Sequence, residues 1–379
     1  MNATEQFIYL TACAATKRQA AADTAELDKL WQMAQGHNLT AMVAKALQDT
    51  DAFRNADAQE QKRWSSFLDN NIKKCMLFEA ERRAIVRFFE QNGIWYMPLK
   101  GVVINPLFPH YGTREFADYD ILMDPARTED GKSFLLSRGY TFRADDYSAD
   151  EYSKPPFFNI ELHRDIIDRS TQFEHFYQYY ANVKDRLIKD EGNGFGYHFS
   201  DDDFYIFFIV HAFKHYDNRG TGFRTVADEY VLLHTDKLHL DLAAVTRELE
   251  KLGVADFEYK LRTLADALFE KPEQTAENLR SLAPPLREML QFILSSGTFG
   301  SMENLFAKEF EESAGSGHSK ARYYLKRIFP ERTRFKYSNP FVYRHKAVYP
   351  FFLMYRMAVR PIKNRRDLRR ELKTIKHIK

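Results

Sequence analysis

Two aspartates spaced two apart, Asp118 and Asp120, are the residues of this chain best suited to chemistry. They lie in an apolar run, residues 116–123, that reads as a strand. Side chains alternate across a strand, so both carboxylates face one side while Tyr119 and Ile121 face a core. Two neighbouring carboxylates repel, and each is costly to keep ionised unless a cation sits between them. Mg²⁺ is the default ion for such an all-oxygen site, with Mn²⁺ as the alternative. A second run, residues 157–163, alternates in the same way. Asn159, Glu161 and His163 share one face, opposite Phe158, Ile160 and Leu162. Taken alone, that is an edge strand facing solvent. Beside Asp118 and Asp120, Glu161 becomes the natural third carboxylate, with His163 next to it.

These side chains need a frame. An apolar run at 94–99 reads as a buried strand, followed by Lys100 and Gly101, a short helix over 102–108, and a turn at Gly112, Thr113 and Arg114. Helix, strand, helix, strand is an α/β arrangement. Asp124 and Pro125 mark a helix start, residues 140–143 a short strand, and 145–156 a loop rich in charge and proline. Upstream, residues 3–75 read as a helical cap, with a polar loop over 49–60. A long helix over 64–91 stops at Asn92 and Gly93. Downstream, a helix is expected over 171–190, and Ser200 opens an apolar helix carrying His211 and His215. Their i, i+4 spacing puts both rings on one face and can bind zinc, yet no acidic residue sits between them as in a His-Glu-x-x-His motif and no cysteine is near. Lining a cleft or packing in a core suits them better. Arg224 and Asp228, also four apart, read as a helix ion pair. Further helices follow at 238–252, 257–269 and 275–295. The expected division is a helical N-terminal region (1–75), a catalytic core (76–190), a helical domain (191–312) and a basic C-terminal segment (313–379).

At 379 residues, 44% hydrophobic and 15% aromatic, the chain can bury a sizeable core and is not disordered. Its net charge of +2 conceals an asymmetry. Residues 320–379 hold 19 Lys/Arg against 3 Asp/Glu, and the rest holds 36 against 50. The basic segment follows a linker, residues 314–318, and its last part, 365–379, reads as a cationic helix. Its aromatic residues suit RNA stacking, its apolar residues suit an anionic membrane surface, and its charge suits the acidic body of the protein itself. Two cysteines rule out a disulfide framework. The first residues lack the positive start of a signal peptide, and no apolar run has membrane-spanning length, so a cytoplasmic location is expected.

Leu99, Lys100 and Gly101, then Gly112 to Arg114, then Asp118, Tyr119, Asp120, then Glu161 to His163 form an ordered set. Together with His211, His215, Arg224 and Asp228, it resembles the uncharacterised nucleotidyltransferase family of the DNA polymerase β superfamily, over roughly residues 20–300. The resemblance implies an α+β fold: a polymerase-β-like core, a small mixed sheet flanked by helices, with a helical N-terminal cap and a helical C-terminal domain. It implies an NTP substrate, and catalytic, metal-holding Asp118, Asp120 and Glu161. The acceptor is left open among small molecules, RNA and proteins. Lys100 and Gly101 stand where the wider superfamily has a Gly-Ser or Gly-Gly pair around the triphosphate. Lys100, Gly101, Arg114 and His163 are therefore the expected nucleotide contacts, although Arg114 also reads as a loop-ordering salt bridge. The competing reading is a catalytically inactive relative that binds nucleotide or a partner.

Overall fold

The computed structural model describes residues 1–145, 148–168, 172–192, 194–298, 300–314 and 320–363. The expected linker at 314–318 and the cationic helix at 365–379 fall almost wholly outside them. The chain opens with five helices: α1 (Ala3–Thr16), α2 (Leu27–Gly36), α3 (Thr40–Leu47), α4 (Asp51–Arg54) and α5 (Ala58–Gln91). A capping box starts α1. Asn2 Oδ1 accepts the Glu5 backbone N–H at 3.0 Å, and the Glu5 carboxylate accepts that of Asn2 at 2.8 Å. Asp57 starts α5 by accepting the N–H groups of Gln59 and Glu60, both at 2.9 Å. The helix therefore begins six residues before Trp64, where the apolar pattern starts, and runs straight through residue 75. Its first turn faces water and carries no apolar signal.

The sheet is built from β1 (Tyr96–Pro98), β2 (Tyr119–Met123), β3 (Thr141–Asp145), β4 (Ala149–Lys154) and β5 (Phe158–His163), in the order β1-β2-β5-β4-β3. Among the described strands of this sheet, only β2 and β5 pair in parallel. Between the strands lie α6 (Gly101–Ile104) and α7 (Thr128–Ser137). The loop expected over 145–156 contains β4. Its polar residues hid a strand whose Tyr152 is buried and whose Asp150 accepts from Arg164 at 2.7 Å. The helix expected over 171–190 is cut down to α8 (Glu174–Tyr179), followed by a 3-10 turn and a small hairpin of β6 (Ile188–Lys189) and β7 (Tyr197–His198).

Seven helices follow to residue 314: α9 (Asp201–Asn218), α10 (Arg224–His234), α11 (Leu242–Lys251), α12 (Ala255–Phe269), α13 (Thr275–Ser281), α14 (Pro284–Ser296) and α15 (Met302–Ala314). Then come α16 (Lys320–Ile328), α17 (Pro340–Arg344) and α18 (Tyr349–Lys363). Two cores organise the molecule. Tyr119, Ile121 and Met123 of β2, with Ile160 and Leu162 of β5, pack on Phe78, Ile85 and Phe89 of α5. Met97, Leu99 and Leu122 face the other way, into a larger core. It joins Phe7, Ile8 and Trp64 of the N-terminal helices to Tyr205, Phe223, Leu264 and Ile293 of the later ones. The helical cap and the helical segment after the sheet thus share one interior. The alternation of β2 and β5 turns Asp120, Glu161 and His163 towards this helical body.

Candidate active site

Parallel pairing sets the site. Asp120 lies directly beside Glu161 across β2 and β5, and Leu122 beside His163. His163 Nε2 is 2.9 Å from Asp120 Oδ1 and 3.2 Å from Glu161 Oε2, and one ligand atom from each of the three residues lies within 4.8 Å of the others. Asp118 sits one residue before β2, not inside it. Burial, reinforced by the charge of Asp120, pushes its carboxyl up to about 6. Burial would raise Asp120 too, but Lys100 and His163 hold it well below the ordinary carboxylate range. His163 loses charge stability by burial and regains more from the two carboxylates, so its affinity for a proton is raised. Its buried Nδ1 has no hydrogen-bond partner. Asp120, Glu161 and His163 lie close enough to share a divalent cation, with two carboxylates supplying oxygens and the imidazole a ligand that Mn²⁺ also accepts, whereas Asp118 lines the same cavity but is not one of that close group.

Lys100 follows β1 in a backbone conformation rare for a side-chain-bearing residue, φ 49° and ψ −117°. That turn brings Nζ to 3.2 Å from Asp120 Oδ1. Burial would lower its pKa, but Asp120, Glu161 and Asp118 together raise it, so the ammonium persists. Gly101 backs onto Arg114: an added Cβ would stand 3.1 Å from Arg114 Nη1. Arg114 is buried and each of its three nitrogens donates a hydrogen bond. Its Nε and Nη2 donate to the two oxygens of Asp228 at 2.6 and 2.8 Å, and Nη1 donates to Asn105 at 2.8 Å. Three of its five N–H groups thus brace the loop before β2 and Asn105 against α10, while Arg114 also lines the cavity in front of Asp118 and Asp120.

Asp228 consequently does not close the i, i+4 pair with Arg224. Arg224 donates Nη1 to the Glu115 carbonyl at 2.9 Å, and among the described residues no carboxylate forms an ion pair with it. Burial, and then the neighbouring Arg114 charge, lower its pKa. Arg224 faces a cavity of about 500 Å³ together with Lys100, Asp118, Asp120, Glu161 and His163. Spacing alone concealed this cation, because the residue four positions on is paired from a different element. His211 and His215 line the same cavity, with their Nε2 atoms 3.1 Å apart. Burial, and then nearby lysines, push His215 down to about 4 and His211 well below the ordinary histidine range, so both rings are neutral and one donates to the other. Lys214 completes this wall, paired to Asp168 at 2.7 Å. A second cavity of about 600 Å³, lined by Phe78, Val102, Val103, Tyr111 and Phe116, meets the first at Asp118.

The cavity thus places anionic and cationic groups side by side. Carboxylates on the sheet can hold a metal, and a guanidinium that forms no ion pair among the described residues can hold an anion. The family model described as an uncharacterised nucleotidyltransferase matches residues 23–270, a span that includes every one of these groups. No curated protein and no solved structure matches the chain. With well over half of its length covered, this chain belongs to the uncharacterised nucleotidyltransferase family.

Proposed function

We propose that the protein transfers a nucleoside monophosphate from an NTP to an acceptor hydroxyl or phosphate with Mg²⁺ or Mn²⁺, the acceptor oxygen bonding to the α-phosphorus as the α–β phosphoanhydride breaks and pyrophosphate leaves, and that its sheet is a polymerase-β-like core. The observation that carries this reading is the direct pairing of Asp120 with Glu161 in one cavity with Lys100 and Arg224. Asp118, Asp120 and Glu161 would hold the divalent cation, which supplies charge neutralisation for the triphosphate and activation of the acceptor oxygen. His163, whose Nε2 lies beside an oxygen of each, orients Asp120 and Glu161 or joins them as a ligand. Arg224 offers its guanidinium to phosphate oxygens, and Lys100 adds a point charge beside Asp120. His211 and His215, being neutral, add no competing charge. The second cavity suits the acceptor, because it shares Asp118 with the first, lacks Arg224 from its lining and is lined mainly by apolar side chains.

The test is incubation of the protein with NTPs labelled at the α-phosphate, Mg²⁺ or Mn²⁺, and a host extract. Label should pass to an acceptor with the parent protein and not with Asp120→Asn. If NTP binds but is never consumed, and Asp120→Asn binds it equally well, Lys100 and His163 hold the cation's place permanently. The chain would then be an inactive nucleotide-binding relative.

A further inference from the structure

The basic segment has a used inner side and an unused outer one. Inward, Tyr323 packs on Phe310 with ring centroids 5.5 Å apart, and Phe335 packs on Phe352 at 5.1 Å. Arg327 and Arg334 reach Glu309 at 2.5 and 2.9 Å, and Lys336 and Tyr337 both reach Glu174 on α8. Outward, α18 presents Phe351, Met354, Tyr355 and Ala358 at i, i+3, i+4 and i+7, a single helical stripe. The first three are 72, 63 and 57% exposed. Leu325, Ile328, Phe329 and Phe341 are exposed as well. Among the described residues, eight of the eighteen exposed large apolar side chains lie between 325 and 357, so the pattern is not ordinary surface scatter. Exposed Lys326, Arg344 and Lys346 stand among them.

We infer that this segment docks the protein on an anionic membrane surface. The α18 stripe enters the boundary between headgroups and acyl chains, and the surrounding Lys and Arg meet lipid phosphates. Charge complementarity selects this occupant. The segment carries 19 Lys/Arg against 3 Asp/Glu and the remainder 36 against 50, so an anionic surface attracts the segment and repels the body. The bilayer is also favoured over single-stranded RNA, because base stacking uses rings, whereas Leu325, Ile328, Met354 and Met357 offer none. The contact is peripheral: among the described residues no helix is long and apolar enough to cross a membrane. It is independent of the reaction proposed above.

Full-length protein should co-sediment with vesicles of phosphatidylglycerol and phosphatidylcholine in equal parts, far less with pure phosphatidylcholine, and less at high salt. The exposed-stripe variant Phe351→Ser/Met354→Ser/Tyr355→Ser should partition at least about tenfold more weakly, given the apolar area removed, with an unchanged thermal midpoint. Arg344→Glu/Lys346→Glu should weaken binding to the mixed vesicles alone. In Phe351→Trp, mixed vesicles should shift the emission of the new indole to the blue. Three outcomes would overturn the inference: vesicle binding untouched by the stripe variant; RNA binding with no vesicle binding; or a dimer in solution that the stripe variant dissolves.

Discussion

Arg114 and Arg224 carry the same group into opposite situations. The guanidinium of Arg114 gives both edges to Asp228 and Asn105, inside the protein. Truncating it strands a buried carboxylate, so Arg114→Ala should cost about 3–5 kcal/mol of unfolding free energy, measured by urea titration. Arg224 makes one backbone contact and faces the cavity, so Arg224→Gln should leave stability within about 1 kcal/mol of the parent. Its effect should fall on the ligand: loss of a charge-assisted contact of about 1.5–3 kcal/mol raises the Kd for NTP by roughly ten- to a hundredfold in calorimetry. The reverse pattern, a folded Arg114→Ala and an unfolded Arg224→Gln, would exchange the two roles. In the wall of the second cavity, Val103→Trp should fill the apolar side and block label transfer while NTP affinity stays the same. A matched loss of NTP binding would show that the nucleotide, and not the acceptor, occupies that side.

At the scale of elements, the site is an agreement between two strands and a helix pair. The parallel register of β2 and β5 puts Glu161 beside Asp120, and a slip of one residue would turn Glu161 and His163 to the α5 side. The helix pair, α9 and α10, owes its position partly to His37, which follows α2. The Phe223 backbone N–H donates to His37 Nδ1 at 3.1 Å, and the rings of Phe7 and Phe223 lie 5.4 Å apart beside it. Burial pushes His37 down to about 4. The unfolded chain binds the proton more readily, so the neutral ring's contribution is present above about pH 6.5 and is lost as pH falls towards 4. About 3 kcal/mol should disappear over that window. The acid arm of a plot of unfolding free energy against pH should therefore flatten between pH 4 and 6.5 in His37→Asn. An unchanged arm would assign that acid sensitivity to other groups.

At the scale of the whole molecule, the helices before the sheet and those after it cannot be separated, because one core runs through both. Phe7→Ala should lower stability by about 3–5 kcal/mol and shift the unfolding of both helical regions together, as seen by calorimetry and near-UV dichroism. Two transitions moving apart would mean that the regions fold independently. What the sequence determined by itself follows from local rules. Alternation marked β2 and β5 and the faces of Asp120, Glu161 and His163, because a strand's period of two is written in neighbouring residues. Composition marked the basic segment, because charge needs no geometry to be counted. The rest depended on distance in space. Asp228 sits four residues from Arg224 but pairs with Arg114, 114 positions away. Lys100 meets Asp120 only through an unusual backbone turn. β4 is polar enough to read as a loop and becomes a strand because β3 and β5 pair with it on either side. Helical spacing says which side chains could be neighbours, whereas burial decides which partner each charge must take, and only the tertiary structure sets burial.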